Sequence, residues 1–263
     1  MYAVVFDCES DQLFERGRMP ANSGRKSAEE QRREEISRME CTVACAVILY
    51  ESDVQAVATT RPHSAADERA RALLRDSAVR LVCWRDRATL DGDGATVPPF
   101  EPLLSAFDGA SVIAGYNHLN FDMQLLRKYY GKDTERYMAH RLKCFDPFVV
   151  VRALTESWIG LNALLQANKL DCKTGEGTAA VHLWDAVQMG SDEESSAARS
   201  SLEDYCMSDV ELTVRLLLLP SMRVPGKVAL TLPNACCGLA SRFAAKHRSD
   251  VIESTVAGGN KES

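Results

Sequence analysis

Apolar residues fall in short unbroken runs along the first half of the chain and at helical spacing along the second. The run at residues 2–8 is Tyr-Ala-Val-Val-Phe-Asp-Cys, and its length and Val content predict a buried strand. The runs at 41–50, 54–60, 79–84 and 111–115 predict four more strands. Helices are expected over 69–75, 98–107, 120–130, 146–154, 161–168 and 179–188, with proline tolerated at the entry of the second of these. Residues 191–201 are polar and read as a linker. A long amphipathic helix follows over 202–219, stopped by Pro220. One further strand is expected at 228–232, and the polar tail 247–263 is expected to fray.

Strands come first, strand and helix then alternate, and helices dominate the end. That order predicts an α/β domain, a mixed sheet flanked by helices. Residues 1–220 form the expected domain and 221–263 a C-terminal extension. Residues 10–40 interrupt the domain as a polar insertion, and 27–39 within it is a charged run of helical character. The cluster Asp91-Gly92-Asp93-Gly94 marks a turn.

Composition narrows the class. The chain has 263 residues, of which 46% are hydrophobic, enough to bury a core without disulfide support. Its nine cysteines are odd in number and include no CxxC pair, which suits free thiols in a reducing compartment. No run is long and apolar enough to cross a bilayer, and the N-terminus lacks the features of a signal peptide. The expected setting is intracellular, cytoplasm or nucleus, away from membranes. The formal net charge of −6 weighs mildly against a nucleic-acid partner. A local basic stretch, Arg127 to Lys143, is read either as a track for phosphates or as a solvated face.

The candidate chemistry lies in the acids. Asp7 and Glu9 stand two apart at the end of the first strand, so they share one face. Paired anions ending a buried strand repel each other, and a divalent cation removes that cost. Asp122 opens a predicted helix after a buried strand and a polar turn, where a plain capping acid is also expected. Tyr205 and Asp209 stand four apart on the long helix and project together, which also suits a boundary tyrosine beside a solvated acid. Each piece alone is ordinary, and the order of the pieces carries the weight. Four converging carboxylates favour Mg²⁺ or Mn²⁺ over Zn²⁺.

Val5-Phe6-Asp7-Cys8-Glu9-Ser10, Tyr116-Asn117-His118-Leu119-Asn120-Phe121-Asp122 and Tyr205-Cys206-Met207-Ser208-Asp209-Val210 resemble, in order, the three motifs of the DEDD exonuclease superfamily. The second and third are similar to those in the proofreading domains of B-family DNA polymerases. Phe145-Asp146-Pro147, Leu161-Asn162-Ala163-Leu164, Lys173-Thr174-Gly175-Glu176-Gly177 and Leu183-Trp184 resemble the intervening section. The overall likeness is greater to short, free-standing RNase H-like proteins. Asp204 stands where the alternative subclass has histidine, so the resemblance is to the tyrosine type.

This resemblance implies an RNase H-like fold and 3′-to-5′ exonuclease activity that releases nucleoside 5′-monophosphates. It implies that Asp7, Glu9, Asp122 and Asp209 hold two Mg²⁺ or Mn²⁺ roughly 4 Å apart, and that Tyr205 orients the attacking water. The implied partner is nucleic acid, a single-stranded 3′ end of DNA or RNA. Asn117, Asn120 and Phe121 are the candidate substrate contacts, with bracing of the strand end the alternative for the asparagines and core packing for Phe121. Tyr129, Tyr130 and Trp184 are weighed between base stacking and the core. The insertion, the extension or a protein partner would supply targeting. The competing reading is a catalytically silent RNase H-like module that binds nucleic acid or protein.

Overall fold

The computed structural model describes residues 1–13, 27–87, 89–90, 96–173, 178–226, 230–233 and 238–246. In chain order its elements are β1 (Tyr2–Ser10), α1 (Ala28–Arg38), β2 (Cys41–Tyr50), α2 (Glu51–Ala58), α3 (His63–Asp76), β3 (Val79–Trp84), β4 (Thr89–Leu90) and β5 (Thr96–Val97). There follow α4 (Glu101–Gly109), β6 (Val112–Ala114), α5 (Asp122–Leu126), a 3-10 turn (Arg127–Tyr130), α6 (Thr134–Leu142), β7 (Cys144–Phe145) and α7 (Pro147–Thr155). The chain ends with α8 (Leu161–Ala167), α9 (Thr178–Met189), α10 (Asp192–Leu218), β8 (Ser221–Val224) and β9 (Leu230–Pro233), then helical backbone over 239–246.

Five strands form one mixed sheet in the order β3-β2-β1-β6-β7. β1 runs antiparallel to β2 and parallel to β6; β2 is antiparallel to β3, and β6 parallel to β7. The α/β class expected from the sequence is therefore what the chain forms, and its sheet is compatible with an RNase H-like fold.

The period-two alternation of β1 divides the core. Ala3 and Val5 face a cluster built with α10, including Leu202, Cys206 and Val210. Val4, Phe6 and Cys8 face the other cluster, with Leu103, Leu104 and Phe107 of α4 and Met123, Leu125 and Leu126 of α5. Both faces of the sheet are covered, so β1 and β2 read as nearly continuous apolar runs. Met222, Val224, Leu232, Leu239 and Phe243 join the α10-side cluster, packing the chain after Pro220 onto the same core.

The structure corrects several expectations. Residues 54–60 are not a strand: Val54 and Val57 are buried three apart on one face of α2, and Glu51 and Asp53 favour the helix start. Residues 191–201 are not a linker but the first turns of α10. Ser191 and Glu194 form a capping box that starts the helix there. The helix expected over 120–130 begins at Asp122 and tightens to the 3-10 turn after Leu126. α6 and the strands β4, β5, β7 and β8 were not anticipated. The charged run 27–39 is helix α1, itself capped by a Ser27–Glu30 box. The Asp91–Gly94 turn, residues 227–229 and the 247–263 tail lie outside the described residues. Among the described residues no helix is long and apolar enough to cross a membrane.

Candidate functional site

β6 pairs with β1 only along Ala3, Val4 and Val5. Residues 6–10 of β1 run past the end of β6, and Asp122 fills the space. The backbone N–H of Cys8 donates to Asp122 Oδ1 at 2.8 Å. The amide between Asp7 and Glu9 is thus bonded to a third acid. Asp7 and Glu9 follow Ala3 and Val5 on the α10 side of the sheet, as their spacing predicted. On α10, Cys206 sits against β1 and donates its Sγ–H to the Asp7 carbonyl at 3.5 Å. Tyr205 and Asp209 are its neighbours on that helix, and Asp209 is 2% exposed.

The five residues expected to form the site are therefore together. Burial pushes Asp7 well above the ordinary carboxyl range, and repulsion from Asp122, Glu9 and Asp209 pushes it further. Glu9 is raised by burial, then by Asp209, to about 8. Asp122 is raised by burial to about 7, against the lowering effect of its bond from Cys8. Asp209 is also raised by burial, with Lys173 opposing. The Tyr205 hydroxyl is held protonated by burial, with Glu9, Asp209 and Asp7 adding to the shift and Lys173 opposing it. Asp7 thus feels Asp122, Glu9 and Asp209, and Tyr205 feels Glu9, Asp209 and Asp7, across about 200 positions of sequence. Asp7, Glu9 and Cys206 present ligand atoms all within 4.8 Å of one another.

Two residues of the site were not singled out in the sequence. Lys173 pairs with Asp209 Oδ2, and its Nζ lies 5.7 Å from the centre of the Tyr205 ring. Its backbone N–H donates to Asn162 Oδ1 at 2.9 Å, so α8 fixes its place. The signal was its position opening the Lys-Thr-Gly segment, whose next four residues lie outside the described ones. Cys206, adjacent to Tyr205, is the other. Burial, and then Cys45, push its thiol well up, so it remains a protonated donor.

The turn that carries Asp122 is braced from below. Buried Asp146 accepts from the backbone N–H groups of Asn117 (2.9 Å), Leu119 (3.1 Å) and Phe148 (3.0 Å), and so ties the turn to the start of α7. Asn117 adopts a left-handed backbone, φ 63°, which asparagine tolerates well. Its Oδ1 accepts from Asn120 Nδ2 at 3.1 Å. Gly115 is needed at the close of β6: a Cβ there would lie 2.7 Å from the Phe6 carbonyl oxygen. His118 is fully buried, its Nδ1 2.9 Å from the Gly115 carbonyl. Burial lowers its pKa, so it is a neutral packing residue here.

No protein-family model matches the chain, and no curated protein matches it at a significant level.

Among the three candidate substrate contacts, Asn117 and Asn120 brace the turn as described, and Asn120 also lines a cavity on its outer side. Phe121 is partly buried and packs against the α4–α5 cluster. The aromatics weighed for stacking pack inward: Tyr130 and Trp184 are buried, and Tyr129 packs edge-on against Phe100. Three cations of the basic stretch 127–143 are engaged within the fold. Lys128 pairs with Glu40, Arg136 with Glu101 and Asp108, and Lys143 caps the carbonyls of Phe107 and Asp108.

Proposed function

We propose that the protein is a divalent-metal-dependent 3′-to-5′ exonuclease of the tyrosine-type DEDD class. It hydrolyses the terminal phosphodiester of a single-stranded 3′ end, DNA or RNA, and releases nucleoside 5′-monophosphates. The observation that carries this reading is the gathering of Asp7, Glu9 and Asp122 at the end of β1 against the stretch of α10 that carries Tyr205 and Asp209.

The donor set fits hard divalent cations. Four carboxylates crowd one place, Asp122 and Asp209 buried and Asp7 and Glu9 half-buried, and the Lys173 charge does not bring the acids back to their ordinary range. Oxygen donors of this kind suit Mg²⁺ or Mn²⁺, and the protonated Cys206 adds no anionic sulfur. Asp7, Glu9, Asp122 and Asp209 would hold two such ions. When bound, the ions supply charge stabilisation at a phosphodiester and activate water for attack.

The remaining work belongs to the chain. The Cys8–Asp122 bond holds three acids in one register. The Tyr205 hydroxyl, kept protonated, is a fixed donor and acceptor that orients the attacking water. Lys173 balances charge beside Asp209. The cluster is held by strand and helix rather than by loop tips, which suits chemistry that depends on positioning. An intracellular setting, cytoplasm or nucleus, belongs to the same reading and agrees with the seven described cysteines, all free thiols. So does a protein partner for targeting.

The test is a nuclease assay on end-labelled single-stranded DNA and RNA, with Mg²⁺, with Mn²⁺ and with chelator. The expected result is metal-dependent shortening from the 3′ end. Asp7→Ala and Asp209→Ala should abolish it while both variants remain folded. Absence of product from either polymer with either metal sinks the reading.

A further inference from the structure

The insertion helix α1 does more than connect β1 to β2. It closes one side of a cavity of about 350 Å³. Arg32 and Arg33 enter from α1, Arg141 from the last turn of α6, and Arg152 from α7. Trp158, which is 56% exposed, also lines it. So do Asn120 and Gln124, each two residues from Asp122.

This composition is unusual for the molecule. The chain is acidic overall, yet four arginines line this cavity, Arg141 with one guanidinium N–H donated to the Tyr137 hydroxyl at 3.3 Å, and the acids that pair with Lys128 and Arg136 line none of it. The Arg32 and Arg152 guanidinium carbons lie 5.1 and 5.2 Å from the Trp158 ring centre. Burial lowers the Arg32 pKa, Glu35 opposes the shift, and the like charge of Arg152 lowers it further. Neither Arg141 nor Arg152 has a carboxylate partner among the described residues. Arg141 and Arg152, on two different helices beside an exposed indole, suit an anion, because guanidinium forks match phosphate oxygens. The indole adds a flat apolar surface, and Asn120 and Gln124 add amide groups. Phosphate, planar ring and hydrogen-bonding edge are together the chemistry of a nucleotide.

We propose that this cavity binds a nucleotide of a single strand, with the phosphate held by Arg32, Arg141 and Arg152 and the base against Trp158. The inference deepens the exonuclease reading and rests on it for the identity of the strand: the turn from Asn120 to Asp122 joins the cavity to the carboxylate cluster. It also gives α1 a purpose, since two of the four arginines come from the insertion. An aromatic surface favours nucleic acid over a phosphopeptide, which needs only the arginines. The volume is within the range of small-ligand sites.

The test is fluorescence anisotropy of the full-length protein with 5′-labelled dT12, in chelator so that hydrolysis is silent. Wild type should bind, and Trp158→Ala should weaken binding about tenfold, the scale of one lost base stack. Trp158→Phe should restore most of it. Arg152→Glu should weaken binding at least tenfold and lower the slope of log affinity against log salt by about one. Both positions are exposed, and equal melting temperatures verify that the variants are folded. Unchanged dT12 affinity in both variants overturns the proposal, as does failure of the wild type to bind. Tighter capture of a phosphoserine peptide, insensitive to Trp158→Ala, also overturns it and points to a protein partner. A protein that binds through Trp158 yet never cuts would sink the exonuclease reading and leave this one standing. One that cuts equally well in both variants would do the reverse.

Discussion

The Cys8 amide and the Asp122 carboxylate are joined at 2.8 Å across 114 residues of sequence. A single bond therefore sets the relation between the paired acids of β1 and the acid that opens α5. It also performs two separable tasks: Asp122 satisfies a backbone donor and brings negative charge. Asp122→Asn keeps an oxygen for Cys8 and removes the charge. That variant should be at least as stable as wild type without metal, yet lose hydrolysis. Asp122→Ala leaves a buried N–H without its acceptor and should cost about 1–3 kcal/mol. Urea denaturation of both variants in chelator checks this, and equal stabilities would show that the bond is unimportant.

The raised acids make metal-free stability depend on pH in an unusual direction. In the unfolded chain Glu9 and Asp122 lose their protons near 4.5 and 3.8; in the fold they do so near 8 and 7. Between these limits the folded state binds more protons, so its stability falls as pH rises. The contribution is fully present below about pH 4 and is gone above about pH 8. In chelator the melting midpoint should therefore drop between pH 5 and pH 8. Saturating Mn²⁺ binds the ionised acids of the folded state and should remove the drop. Differential scanning fluorimetry across pH, with and without Mn²⁺, reads both effects. A midpoint that rises across that range in chelator contradicts the clustering of the acids.

Much of this was legible because β1 obeys a simple period. Alternation alone put Asp7 and Glu9 on one face, and spacing alone put Tyr205 and Asp209 together on α10. Convergence with Asp122 was not derivable from local pattern, because it depends on β6 stopping short of β1's end. Where pattern reading failed, a longer-range or competing signal prevailed. Val54 and Val57 fit a strand run but pack at helical spacing. The polar residues 191–201 looked like a linker because the capping box that starts α10 lies in them. Lys173 was invisible as a site residue, since Asn162 and Asp209 place it from two other helices. The basic stretch 127–143 suited a phosphate track or a solvated face equally; Lys128 and Arg136 are spent on Glu40, Glu101 and Asp108, whereas Arg141 lines the arginine cavity.

Gly115 shows how the backbone supports the acids. A methyl there would stand 2.7 Å from the Phe6 carbonyl oxygen and 3.0 Å from His118 Cβ. The nearer atom is backbone in a paired strand, so relief requires β1 and the end of β6 to part. Gly115→Ala should cost about 1–3 kcal/mol, as overpacking does. It should also weaken Mn²⁺ binding, because Asp7 follows Phe6 directly. Gly160→Ala is the control: a Cβ there meets nothing within 4 Å, and the change should stay within about 0.5 kcal/mol. Calorimetric Mn²⁺ titration of both variants separates a local site effect from general loosening, and equal behaviour would refute the role given to Gly115.

Lys173 shapes the site before any ion arrives. Its charge lowers the pKa of all four acids while its ammonium group rests on Asp209. A divalent ion that uses Asp209 must compete with that contact. Lys173→Met keeps the stem and removes the charge, so two opposite effects should follow. Without metal, at pH 8, the variant should melt below wild type, because the acids lose a counter-charge. With Mn²⁺ it should gain more than wild type gains, because the ion displaces nothing. The pair of shifts is diagnostic. A general packing defect lowers both midpoints together, whereas competition for Asp209 lowers one and enlarges the metal increment. A smaller increment in the variant would mean that Lys173 supports the occupied site instead of yielding to it.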